Sequence, residues 1–388
     1  MKVLGKMPKR CEIYCSGNII KNVKGVTVPN TDNLKGINAS AIAGITGGDT
    51  SKILEVLESM TEETIRETRE LLETDFCKTF ILHSTSNLHI RAVAYSEEDS
   101  AEVEIKDTHT NITKIIRNGK IIFKINEVQA SVVEDFADKS LLNVKDIIDF
   151  AQTVSLSDVS SILKKQILLN SAISLEGLTN NYGVNVGKTL MAFRPDDIIT
   201  KAKARAAAAS DARMSGCSLP VVINSGSGNQ GLTVSLPVIE YAKHLNSSPE
   251  QLLRALVISN LVSIHQKTKI GRLSAYCGAV SAAAGSGAGI AYLYGGKYEE
   301  ICNTITNTIA NVGGIVFDGA KPSCASKIAS SVDAAIMGMD LAFNKQCYSN
   351  GEGLVMEDIE KTIESIGRLG SIGMKDTDVE ILKIMIGL

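Results

Sequence analysis

The chain has 388 residues, enough for two domains and a sizeable buried core. Charged residues make up 21%, hydrophobic residues 44%, and the net charge is −3, so no basic surplus speaks for nucleic acid and no acidic block speaks for a tail. Aromatic residues are only 4% and tryptophan is absent, which argues against a base- or sugar-stacking protein.

The first third mixes strands and helices. The runs EIYCSG, TFILHS, HIRAVAYS, AEVEIKDT and KIIFKI alternate apolar and polar residues, the pattern of half-buried strands. Asn118-Gly119 lies between two such runs and predicts a hairpin turn. Ile53, Leu54, Leu57, Met60, Ile65, Leu71 and Leu72 predict a helix over 51–73. Beyond a boundary near 125–140 the strand signals stop. Helices are expected over 143–153, 157–175, 195–215, 231–245, 249–267, 272–293, 297–312, 324–344, 356–369 and 376–387. Ser248-Pro249-Glu250-Gln251 is a strong helix start, with a serine cap, proline in the first turn and glutamine at the third helical position. The fold class is therefore α+β: a small N-terminal α/β domain over 1–130, then a large all-α domain over 131–388.

Eight cysteines are dispersed along the chain, and no secretory signal precedes them. That usage fits a reducing cytoplasm and buried thiols. Cys11 and Cys15 would share one strand face about 13 Å apart, as core thiols. The run 273–296 carries no charge and is built largely of Ala, Gly and Ser. Its weak hydrophobicity points to a buried central helix whose small side chains admit close neighbours, rather than to a membrane span.

Chemistry concentrates in two places. The loop NSGSGNQG, residues 224–231, frees the backbone with three glycines and offers Asn224, Ser225, Ser227, Asn229 and Gln230. Opening a helix, such a loop suits a carboxylate or phosphate; it lacks the Gly-Lys-Ser/Thr of a Walker loop. Upstream, SDARM supplies Arg213, either for a substrate carboxylate or for an ion pair with Asp211. The histidines form no HExxH pair, which removes zinc hydrolases. His109, in DTHTNI, is the best histidine candidate. His265, near Lys267, Lys269 and Arg272, reads as part of a basic helix end. The second place is the pair of cysteine motifs around Cys277 and Cys324.

NSGSGNQG, SDARM, RLSAYCG and GGIVFDGAKPSCASK, with KNVKGVTVPNT and HTNI in the first domain, resemble the L-cysteine desulfidase family. That family shares its helical domain with the alpha chain of iron–sulfur L-serine dehydratases. The resemblance implies a [4Fe–4S] cluster held by three cysteines, an open iron for the substrate thiolate, and elimination to sulfide, pyruvate and ammonia. It places Cys277 at a ligand position and Cys324 beside the cluster as a weaker ligand. For the substrate, Asn224, Ser225, Ser227, Asn229, Gln230 and Arg213 are the candidates, and Lys21, Asn22, His109 and Asn111 are first-domain candidates, with His109 and Lys21 as candidate bases. Two departures stand out. Phe317 occupies a family ligand position, and the family's Leu-Gly-Cys-Thr-Glu-Pro stretch has no counterpart here, so a desulfidase with its start upstream and a relocated ligand is one of three competing accounts. Serine dehydratase-like activity, or a cluster-less member that binds an amino acid or serves a structural or regulatory role, are the competing readings. A small-molecule amino acid is the expected partner, with homo-oligomers and without nucleic acid or membrane.

Overall fold

A computed structural model describes residues 1–125, 137–271 and 273–387. The domain boundary expected at 130/131 and Arg272 of the RLSAYCG motif lie outside the described residues. The chain is α+β and divides into two compact units: Met1–Asp138 with Asp318–Ala320 and Asp378–Leu388, and Lys139–Phe317 with Lys321–Thr377.

The first unit is built on a six-stranded sheet in the order β2-β1-β3-β4-β5-β6. Its strands are β1 Arg10–Cys15, β2 Cys77–Ile81, β3 His89–Tyr95, β4 Ser100–Lys106, β5 Ile112–Arg117 and β6 Lys120–Lys124. β1 pairs parallel with β2; the remaining pairs are antiparallel. Alternation on β1 buries Cys11, Ile13 and Cys15 on one face, with Cys77 opposite Cys11. Asn118 and Gly119 form the expected hairpin, both with positive φ, which an Asn-Gly pair tolerates best. Helices α1 Gly17–Val23, α2 Gly36–Thr46 and α3 Glu62–Leu72 complete this part, with α2 against α3, β1 and β2.

The helix expected over 51–73 is corrected. Ile53 takes φ 53°, a left-handed value costly for a β-branched residue, and Ile53 and Leu54 face solvent. The true helix starts after Thr61, which exchanges capping hydrogen bonds with Thr64.

The second unit is helical among its described residues: α4 Val144–Thr153, α5 Leu156–Thr179, α6 Val186–Phe193, α7 Ile198–Met214, α8 Gly228–His244, α9 Pro249–Ile270, α10 Gly278–Leu293, α11 Tyr298–Val312, α12 Cys324–Phe343 and α13 Ile359–Arg368. The last helix, α14 Lys375–Ile386, lies almost wholly in the first unit. α10 is the buried centre of the helical unit, touching α8, α9, α11 and α12. Its small residues make this possible. Gly285 and Gly289 face backbone carbonyls of Ser259 and Ala255 on α9, at 2.4 and 2.8 Å from where a Cβ would stand. Main chains thus approach where larger side chains would separate them. Among the described residues no helix is long and apolar enough to cross a membrane.

α10 starts at Gly278 rather than near 272. Gly271 turns the chain with φ 92°, and Ser274 accepts from the Tyr276 N–H while its hydroxyl donates to the Gly370 carbonyl. Residues 275–277 then run extended beside 315–317: the Cys277 N–H donates to Ile315 and the Phe317 N–H to Ala275. This short ladder joins the two cysteine motifs.

Candidate active site

The loop from 224 to 227 is a tight turn. Ser225 and Gly226 both have positive φ, and Asn224 and Ser227 exchange backbone hydrogen bonds at 3.1 and 2.9 Å. Asn224 anchors it from below. Its amide nitrogen donates to Asn260 on α9, and its oxygen accepts from Ser225 and Ser263. Asn260 in turn exchanges hydrogen bonds with Gln166 on α5. A second anchor, Asn170, accepts from the Val222 N–H and donates to the Gly231 carbonyl. Asn224 is saturated by this network, and Ser227 caps α8 through the Gln230 N–H at 3.4 Å.

What remains for a ligand is the far side of the loop. Arg213, at the last turn of α7, reaches Asn229 at 3.4 Å and packs on Gly228, the first residue of α8. The alternative ion pair with Asp211 does not form. Asp211 turns to the start of α6, where its carboxylate accepts from the Gly187 N–H at 3.0 Å. Arg213 makes no ion pair among the described residues, and desolvation lowers its pKa; Cys324, the first residue of α12, is near enough to act on it electrostatically.

Cys277 caps the N-terminal end of α10 and is 5% exposed. Burial pushes its thiol pKa up and Cys324 adds to that, while the Ala279 N–H, Lys327 and Lys267 pull it down. Lys267 stands in the last turn of α9, as the basic helix end predicts, and is buried there. Lys327 donates to the Val316 carbonyl at 2.7 Å on the ladder beside Cys277. Gly278 lies directly under Gln230: a Cβ there would stand 2.7 Å from the carboxamide. Cys277 is therefore next to the glycine loop. The starts of α8, α10 and α12 gather with Arg213, and each helix start carries partial positive charge and unpaired N–H groups.

Three side-chain oxygens around the first turn of α10 have no hydrogen-bond partner among the described residues: Gln230 Oε1, Gln266 Oε1 and Ser281 Oγ. All three residues are at least nine-tenths buried. An unsatisfied buried polar group costs roughly 1–3 kcal/mol, so these oxygens call for hydrogen-bonding partners, from water or a ligand.

The donor set does not make an iron–sulfur cage. All eight cysteines lie among the described residues, yet no three His, Cys, Asp or Glu side chains there gather to hold a metal ion. Cys277 and Cys324 are near enough to act on one another electrostatically, and the Phe317 ring has no donor atom to offer.

Four candidates belong to the first unit. Lys21 is 2% exposed and ion-paired with Asp378. Asn22 carries a buried oxygen without a partner among the described residues. Asn111 locks the β4–β5 turn by donating to the Lys106 carbonyl, and His109 is exposed in that turn. Sequence reading missed Asn170, Asn260, Ser263, Gln266, Lys267, Ser281 and Lys327. Asn170 in ILLNSAI and Asn260 in VISNLVS, amide residues inside apolar helices, were the available signal. A surface cavity of about 490 Å³ lies elsewhere, around Ser248, Arg254 and Lys297. The Ser248–Gln251 and Lys297–Glu300 caps already occupy the helix starts there.

Residues 51–383 match the family model described as serine dehydratase alpha chain. Proteins called UPF0597 are similar over nearly the whole chain. One from Lachnoclostridium phytofermentans is 54% identical over 387 residues, covering 99% of this chain and 92% of its own length. One from Desulfitobacterium hafniense is 50% identical over 385 residues, covering 99% and 89%. A third, from Treponema denticola, is 46% identical over 390 residues, covering 99% and 90%. With a family match over most of its length and its glycine loop, Arg213 and Cys277 gathered in the helical unit, the chain belongs to the serine dehydratase alpha chain family.

Proposed function

We propose that the helical unit binds a small L-α-amino acid bearing a β-leaving group and eliminates that group, with L-cysteine as substrate in the manner of an L-cysteine desulfidase. The observation that carries this reading is the meeting of Arg213 with the starts of α8, α10 and α12 beside Cys277. Such a site is built for a carboxylate. Its positive end also favours loss of the Cα proton, because carboxylate charge grows as that carbon becomes anionic. A general base takes the Cα proton, the Cα–H electron pair forms a Cα–Cβ double bond, and the C–S pair leaves with the thiol sulfur as hydrosulfide. The 2-aminoacrylate released then tautomerises and takes up water, giving pyruvate and ammonium. No step is routed through an iron–sulfur cluster, since the donor set for one is incomplete.

L-Serine is the second reading, favoured by the family match, and it would use the same carboxylate site with hydroxide as leaving group. The test is anaerobic incubation of the purified full chain with each amino acid, following sulfide, pyruvate and bound iron. Equal sulfide and pyruvate from L-cysteine are expected, with Arg213→Gln lowering kcat/KM roughly a hundred-fold. Pyruvate from L-serine alone would reassign the substrate. Amino-acid binding without either product would leave a binding protein, and absence of binding would end the proposal.

A further inference from the structure

We infer that the first turn of α10 reads the α-ammonium group of the bound amino acid, with Gln230 as its specificity-determining residue. This rests on the amino-acid reading above and adds what distinguishes an amino acid from other small carboxylates. Three neighbouring helices contribute. α8 lays the Gln230 carboxamide on Gly278, α9 brings Gln266 to donate weakly to the Ser281 carbonyl at 3.4 Å, and α10 supplies Ser281 itself. Gln230 Oε1, Gln266 Oε1 and Ser281 Oγ are buried without partners among the described residues.

Amide oxygens can only accept, so a carboxylate cannot satisfy them and an N–H or O–H donor must. An ammonium group brings three donors, a 2-hydroxy acid one at the same carbon, and a 2-oxo acid none. The two ends of the zwitterion then have separate partners. Arg213, with the starts of α8 and α12, takes the carboxylate, and the acceptors flanking α10 take the nitrogen. Gly278 is part of the device. Any side chain there would push away the Gln230 carboxamide, 2.7 Å from the would-be Cβ.

The test uses ligands that cannot turn over. Calorimetry on the full chain compares L-alanine with L-lactate, which differ only in ammonium against hydroxyl. The wild-type chain is expected to prefer L-alanine at least ten-fold, in line with the strength of hydrogen bonds to charged groups. Gln230→Leu should cut that preference to within about three-fold, and Gln230→Glu, a charged acceptor, should widen it. A folded Gln230→Leu chain that keeps the wild-type preference overturns the inference. If Gln230→Leu fails to fold, Gln230→Glu decides, and an unchanged ratio overturns it. Equal wild-type binding of the two ligands sinks the ammonium reading but leaves the amino-acid site standing. Binding of neither removes both.

Discussion

Gly228 and Arg213 touch so closely that a Cβ on the glycine would stand 2.3 Å from the arginine Nε. One methyl group therefore displaces the guanidinium without removing it. Gly228→Ala should leave helix content intact, since alanine suits the first turn of a helix better than glycine. Amino-acid affinity should fall about ten-fold or more, the size of a lost charged hydrogen bond. Calorimetry with L-alanine, alongside circular dichroism, reads both. Undiminished affinity would show that the carboxylate does not depend on Arg213.

Gly231 meets backbone instead of a side chain. A Cβ there would lie 1.9 Å from the Val222 carbonyl oxygen, where no rotamer can yield. Gly231→Ala must separate α8 from the segment leading into the loop and disturb the Asn170 bridge between them. A loss of about 3 kcal/mol in urea unfolding is expected, with the m-value unchanged. Ser225→Gly is the control: it relieves a positive φ and should shift stability by less than about 1 kcal/mol.

The helical half was readable because its starts and stops are written locally. Ser248-Pro249 begins α9, as its capping pattern predicts, while Gly271 ends it a few residues past the expected 267. The strands were readable from alternation, and Asn118-Gly119 from its turn chemistry. The errors came where tertiary bonds overrode periodicity. Apolar Ile53 and Leu54 looked like a core face yet sit outside it, and 274–277 looked helical until its pairing with 315–317 held it extended. The short helices α1, α2 and α6 were missed; α6 depends on Asp211, more than twenty residues downstream, for its capping hydrogen bond. Within the site, the loop and Arg213 were visible because polar groups cluster there. Lys267 was hidden because a lysine near a helix end looks the same whether it points to water or inward.

Asp211 makes stability depend on pH. Its carboxyl is buried, one oxygen has no partner among the described residues, and desolvation raises its pKa to about 6, against bonds from Gly187 and Val186 that pull it down. Between about pH 4 and 6 the folded chain holds a proton that the unfolded chain has lost. This contribution to stability is therefore full below pH 4 and is lost as pH rises through 6, by about 3 kcal/mol for a two-unit shift. Asp211→Asn keeps an acceptor for α6 and removes the titration. Urea unfolding from pH 4 to 8 should show the variant gaining on wild type across that window. Two curves that stay parallel would contradict the assignment.

Lys21 offers a choice between holding and catalysis. Its side chain is buried against Asp378 on α14, Lys24 donates to the Met385 carbonyl nearby, and Gly17 gives way to Leu382. Removing either group takes this partner from the other charge, a cost of about 3–5 kcal/mol for a buried pair, so Lys21→Met or Asp378→Asn should free α14 to proteolysis. Replacing both, Lys21→Met with Asp378→Leu, removes both charges and should restore much of the protection. Mass spectrometry of the cleaved ends reads the docking, and pyruvate release reads the chemistry in the same samples. Recovery of both is the expected result and makes Lys21 a holding group. Protection regained without turnover would instead count against a purely holding role, because the Lys21 amine and the Asp378 carboxylate are the groups that chain lacks.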